Sequence, residues 1–160
     1  MGATLSERLP ENMQKFENYK EQYERLKKAL KYEFYLEAVF IEYAIMEDRL
    51  NSILRYEGNS INSQKHVSID KKINKVKTIA RGKNSLPNKY FTEEFLDRIH
   101  NWKERRNPLI HSLMKLPLTT EELRSLALEG EQLTRDLCRL ATNYKRAVER
   151  KQRKEQVNGI

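Results

Sequence analysis

The chain reads as all-α, a bundle of four or five helices with an N-terminal amphipathic helical extension. Three observations carry that reading. Apolar residues recur at three- and four-residue spacing along most of the chain. Only 5 Gly and 4 Pro occur in 160 residues, too few for the many turns of a sandwich or barrel. No stretch shows strand patterning, and there is no internal repeat. We expect one helical domain over 1–160, with an amphipathic helix over 11–30, the bundle over 30–152 and a basic tail over 153–160.

The first seam is Met13, Phe16, Tyr19, Tyr23, Leu26 and Leu30. Charged residues fill the other faces, so this helix shows one apolar stripe to a partner. Whether it runs on beyond Lys31 is open at this level. From Leu30 to Tyr56 apolar residues cover most of the circumference, from Phe34 through Leu54. Such a helix packs on several sides, so it is expected at the centre. Gly58 falls where a helix-ending glycine is favoured. Ser68 is an N-cap for a short helix carrying Ile69, Ile73, Val76 and Ala80, closed by Arg81-Gly82. Residues 83–91 read as loop. Thr92 caps a helix with Phe95, Ile99 and Trp102 on one stripe.

Pro108 predicts a break. Proline disfavours helical backbone in the residue before it, Asn is a favoured N-cap, and Pro suits the first helical position. We therefore expect Asn107 to end one helix and Pro108 to start another, reaching about Lys115. Thr119 and Glu122 form a capping box for a final helix to about residue 152. Gly130 within its apolar stripe predicts close approach of another backbone. The tyrosines read as packing, and Cys138, beside Leu137, as buried.

Charge narrows the function. There are 31 Lys+Arg against 23 Asp+Glu, a formal net charge of +8. Two runs hold this excess: residues 65–83 at +6 and 145–155 at +4. Lys71, Lys72, Lys75 and Arg81 of the first run are candidates for a phosphate-backbone footprint, together with Arg105. A solvated basic face is the plainer alternative. One cysteine excludes an intramolecular disulfide framework and any multi-Cys zinc site. There is no Gly-rich phosphate loop, no nucleophile elbow and no metal-ligand spacing, so neither metal nor cofactor is expected. His66 and His100 receive no role. No apolar run is long enough to span a membrane, and the N-terminus carries no apolar signal core. A cytoplasmic setting is expected.

The chemistry concentrates in Arg106-Asn107-Pro108-Leu109-Ile110-His111. A helix starting at Asn107 would aim unpaired N–H groups at a phosphate. Arg106 offers a planar fork for two phosphate oxygens and for charge developing in a transition state. His111 can move a proton near neutral pH, activating a ribose 2′-OH or protonating a leaving oxygen. Attack by the 2′-OH needs no metal and leaves a 2′,3′-cyclic phosphate. Arg105 is the alternative arginine at five-residue spacing. Glu47, on the stripe Phe40, Tyr43, Glu47, Leu50, would pair with Arg106 or His111 and orient them, or else sit solvated or beside a Lys.

Arg106, Asn107 and His111 give the chain a resemblance to the HEPN superfamily, all-α bundles with an Arg and a His four to six residues apart, often with Asn, Asp or His directly after the Arg. The resemblance covers roughly residues 30–150. It implies a metal-independent endoribonuclease of toxin, abortive-infection or antiviral-defence type. It also implies a homodimer that brings two motifs into one cleft, since a single His does not readily serve as acid and base together. A regulatory antitoxin would be a natural partner. Some members carry a Tyr two residues after the His as a nucleotidylation target; Leu113 stands there, so that regulation is not expected. The alternative function is a non-catalytic bundle that binds RNA, a nucleotide or a protein, with the first helix as docking seam. In a plain scaffold the motif would be buried and paired within one protomer.

Overall fold

The computed structural model describes residues 11–58, 67–82, 84–115 and 120–159. Among these, five α-helices and one short 3-10 turn occur, with no strand. The helices are α1 (Glu11–Lys31), α2 (Tyr35–Tyr56), α3 (Ile69–Ala80), α4 (Glu93–Ser112) and α5 (Thr120–Asn158). None is long and apolar enough to cross a membrane.

The nearly all-round apolar helix is central, as its composition requires. Helix α2 packs on α5 most extensively, and on α1 and α3. Its Ala38, Val39, Met46, Leu50, Ile53 and Leu54 are fully or almost fully buried. Leu133, Leu137 and Tyr144 of α5 and Ile99 and Trp102 of α4 complete the core.

Helices α1 and α2 are separate. Tyr32, Glu33 and Phe34 join them, and Glu33 takes a left-handed φ of 62°. The turn is closed by the Phe34 N–H donating to the Ala29 carbonyl at 2.8 Å. Only the C-terminal part of the first seam is deeply buried. Leu26 and Ala29 are in the core, while Met13 and Phe16 are 55% and 66% exposed.

Caps at three ends follow the sequence. The Ser68 side chain accepts from the Lys71 N–H, and that of Thr92 from the Phe95 N–H. Gly58 follows α2 with a φ of 73°. The box of Thr119 and Glu122 lies partly outside the described residues, because Thr119 is not among them. Within 83–91, Pro87–Lys89 forms the 3-10 turn, and Phe91 is fully buried against the Tyr144 ring.

The expected break at Asn107 does not occur. Helix α4 runs through Pro108 to Ser112. Proline removes the hydrogen bond to the Glu104 carbonyl and disfavours helical Asn107. Packing on both sides outweighs this local cost: Trp102 is fully buried before it, and Leu109 rests on the core after it. The final helix also continues past residue 152, so most of the expected tail is helical.

Candidate functional site around Arg106

Arg106 projects from α4 onto the outer stripe of α2. Its guanidinium carbon lies 4.1 Å from the centre of the Tyr43 ring and 5.2 Å from that of Phe40. One terminal nitrogen donates to Asn107 Oδ1 at 3.3 Å. Its Nε is buried without a hydrogen-bond partner, and no carboxylate pairs with it among the described residues. Desolvation lowers the Arg106 pKa from its ordinary value, while the nearby Tyr43 hydroxyl opposes that shift. Burial raises the Tyr43 hydroxyl, with Glu47 adding to this and Arg106 and Lys103 opposing it.

The continuous helix changes what the motif offers. Asn107 is inside α4, so no free helix N-terminus faces a phosphate there. At about 100° per residue, Asn107 and His111 share one helix face, while Arg106 stands about 140° round from His111. His111 is exposed and makes no hydrogen bond or ion pair among the described residues. Arg106 and His111 of one protomer therefore flank Asn107 instead of converging on one point.

Glu47 does not orient either of them. Its carboxylate accepts from Lys72 Nζ at 2.6 Å, and the Lys72 side chain is only 6% exposed. Lys72 therefore leaves the expected phosphate footprint, because its charge is buried and neutralised. Arg105 is exposed but ion-paired with Glu129 of α5. Lys77 pairs with Asp97, and Arg81 reaches Glu93 at 3.7 Å. Lys71 and Lys75 remain exposed without ion pairs among the described residues. Lys65, His66 and Lys83 lie outside those residues.

A second charged cluster flanks the site. Asp70, His100 and Glu104 converge as a metal site would. Lys103 bridges two of the three, Asp70 and Glu104, while His100 Nδ1 lies 3.2 Å from Asp70. Lys103 Nζ donates to both Asp70 oxygens at 2.7 Å and approaches Glu104 at 2.5 Å, and the side chain is 5% exposed. Burial opposes the Lys103 charge, but Asp70 and Glu104 outweigh it and raise its pKa. Burial likewise favours a neutral Asp70, yet Lys103 and His100 hold it below the carboxylate range.

Sequence reasoning missed Glu42. It is fully buried between α2 and α5, and neither carboxylate oxygen has a hydrogen-bond partner. Desolvation pushes its pKa up to about 9, with Glu131 adding to the effect. Glu42 is therefore a neutral acid at pH 7. The signal was available: it interrupts an apolar run from Ala38 to Met46. Cys138 is partly buried and accepts from the Tyr23 hydroxyl, and burial raises its thiol pKa. It is a packed thiol and not a reactive one.

Comparison of the chain with protein families, curated proteins and solved structures finds no match.

Proposed function

We propose that the chain is a metal-independent endoribonuclease acting as a homodimer, of the toxin or antiviral-defence type that the HEPN resemblance implies. Arg106 holds the substrate phosphate, His111 moves the proton and Asn107 positions the arginine. The observation that carries this reading is the state of Arg106. It is held over two aromatic faces with its Nε unsatisfied, and among the described residues no acid neutralises it. A guanidinium desolvated without a carboxylate is prepared for an external anion. His111, exposed on the neighbouring face, can exchange protons with a bound ligand.

One protomer supplies its Arg and His at different angles around α4. In the proposed dimer, two copies meeting along this face would let the Arg of one complement the His of the other. Cleavage then proceeds by attack of the ribose 2′-OH on the adjacent phosphorus. The 5′-oxygen of the next nucleotide leaves with a proton, and a 2′,3′-cyclic phosphate remains. At the cluster around Asp70 the Lys103 ammonium already neutralises Asp70 and Glu104, and the proposed step does not use this cluster. A regulatory protein of antitoxin type would act by covering the Arg106 face.

The test is incubation of wild-type and His111→Ala protein with a mixed RNA pool in EDTA, reading product ends. Wild-type cleavage with cyclic-phosphate ends, lost in a folded His111→Ala variant, is expected. Full activity of that variant would overturn the assignment. RNA bound but uncut by both proteins would favour the non-catalytic module.

A further inference from the structure

Helix α5 is 39 residues long, and Val148 is its last residue in the core. From Arg150 to Asn158 every residue is exposed. At about 100° per residue, Arg146, Arg150 and Arg153 fall within about 60° of one another, and Lys154 follows about 40° further round. Leu137, Tyr144 and Val148, which bury this helix, lie on its opposite side. The cationic row therefore points directly away from the core. At 1.5 Å of rise per residue, it is about 12 Å long.

Arg135 and Arg139 continue the row towards the middle of α5, but Glu131 and Asp136 neutralise them. Beyond Arg139 the acids no longer serve the row. Glu149 leans on Lys145 at 3.9 Å, and Glu155, on the side of the helix away from the row, reaches Lys151 at 3.9 Å. Arg146, Arg150, Arg153 and Lys154 have no ion pair and no hydrogen bond through their side chains among the described residues. Thr142 and Asn143, exposed on the same face, add neutral hydrogen-bonding groups at its near end.

A straight row of free cations calls for a polyanion, and the rest of the face decides which one. No aromatic ring stands on it, so it offers a single strand nothing to stack on. Val157 is the one apolar side chain from Glu149 to Asn158, so no apolar face is available to enter a lipid surface. An α-helix about 10–12 Å across fits the B-DNA major groove, which is about 12 Å wide. The major groove of A-form RNA is too narrow for side chains to read. We infer that residues 146–154 of α5 dock in the major groove of duplex DNA, with Arg146, Arg150, Arg153 and Lys154 meeting its phosphates and base edges. This surface shares no residue with the Arg106 site, and the inference does not rest on the ribonuclease reading.

The test measures fluorescence anisotropy of the full chain with a DNA duplex of about two turns, at several salt concentrations between about 50 and 200 mM. RNA of the same sequence, duplex and single-stranded, carries 2′-O-methyl groups so that it stays intact, and phosphatidylglycerol vesicles serve as the lipid probe. Wild-type binding to the DNA duplex in the micromolar range is expected at the lower salt. Arg150→Ala with Arg153→Ala should weaken it at least about tenfold and flatten the slope of log K against log salt by about 1.8, for two lost phosphate contacts. The same variant should lose less than about twofold on either RNA or on vesicles. Both positions are exposed and alanine favours helix, and circular dichroism checks that the variant folds. Arg135→Ala removes a cation that Glu131 already neutralises, and should cost less than about twofold on DNA. The inference is overturned if the DNA duplex does not bind, if the double variant binds it as tightly as the wild type, or if RNA or vesicles lose affinity as steeply as DNA does.

Discussion

The Arg106 guanidinium rests 4.1 Å from the centre of the Tyr43 ring, and among the described residues no acid pairs with it. Geometry here comes from stacking, so shape matters as much as charge. Arg106→Lys should fail to restore activity, because a point ammonium neither stacks flat nor grips two oxygens. On the proposed ribonuclease reading, RNA cleavage should fall about 100-fold in both Arg106→Ala and Arg106→Lys. Tyr43→Phe keeps the ring and should keep most activity, while Tyr43→Ala should lose about tenfold through a displaced guanidinium. Single-turnover cleavage rates separate these cases.

Lys71 and Lys72 are neighbours in sequence with opposite surroundings, one exposed and one buried against Glu47. Lys72→Ala leaves the Glu47 carboxylate without its cation, which should destabilise the fold by about 2–4 kcal/mol. Lys71→Ala should change stability by less than about 0.5 kcal/mol. If Lys71 and Lys75 touch RNA phosphates, their joint replacement should flatten the salt dependence of binding by roughly 1.4 to 1.8 units of log K per log salt. Thermal melts and filter binding at several salt concentrations distinguish the two roles.

These contrasts show which parts of the structure were legible. Helix caps at Ser68 and Thr92 were, because capping is decided by one side chain and its own backbone. The central place of α2 was, because apolar coverage records burial directly. The end of α1 was not, since the left-handed position there holds Glu33 and no glycine marks it. Asn107 and Pro108 misled for the complementary reason. Their local preference for a break is real, but Trp102 and Leu109, fixed on either side, hold the helix continuous. Arg106 and His111 could be singled out by type and spacing. That Phe40 and Tyr43 carry the arginine, and that Lys72 claims Glu47, depends on how α2, α3 and α4 meet, which no short spacing encodes.

Glu42 predicts a pH dependence of stability. Its pKa is about 9 in the fold and near 4.5 as an unperturbed carboxyl. Between these values the folded chain holds a proton that the unfolded chain has released. Stability contributed by this group is therefore full below pH 4.5 and declines as pH rises towards 9. The slope should approach 1.4 kcal/mol per pH unit at most, for one proton. Glu42→Met should remove this slope and raise stability at pH 8 by about 1 kcal/mol or more, since a flexible apolar chain fills the same space. Urea melts at pH 6 and pH 8.5 on both proteins measure the difference. Parallel losses in the two would refute the assignment to Glu42.

Gly130 faces the same carboxyl from α5; side chains of Glu42 and Trp102 crowd it, not the second backbone that its place in the apolar stripe suggested. A Cβ built there would meet Glu42 Cδ and Trp102 Cζ2, each at 2.8 Å. Neither neighbour can yield freely. Trp102 is fully buried and its indole N–H donates to the Leu126 carbonyl at 2.8 Å, while Glu42 is enclosed on all sides. On an open helix Gly→Ala gains up to about 1 kcal/mol from propensity. Here overpacking of about 1–3 kcal/mol should exceed that gain, so Gly130→Ala is expected to lower Tm. Shortening Glu42 to Ala in the same chain removes one of the two obstacles. The double variant should therefore lose less than the sum of the singles, a coupling of 0.5 kcal/mol or more, roughly, in a double-mutant cycle. Strict additivity would mean that the Trp102 ring alone sets the limit. A stabilised Gly130→Ala variant would mean that α2 and α5 do not approach this closely in solution.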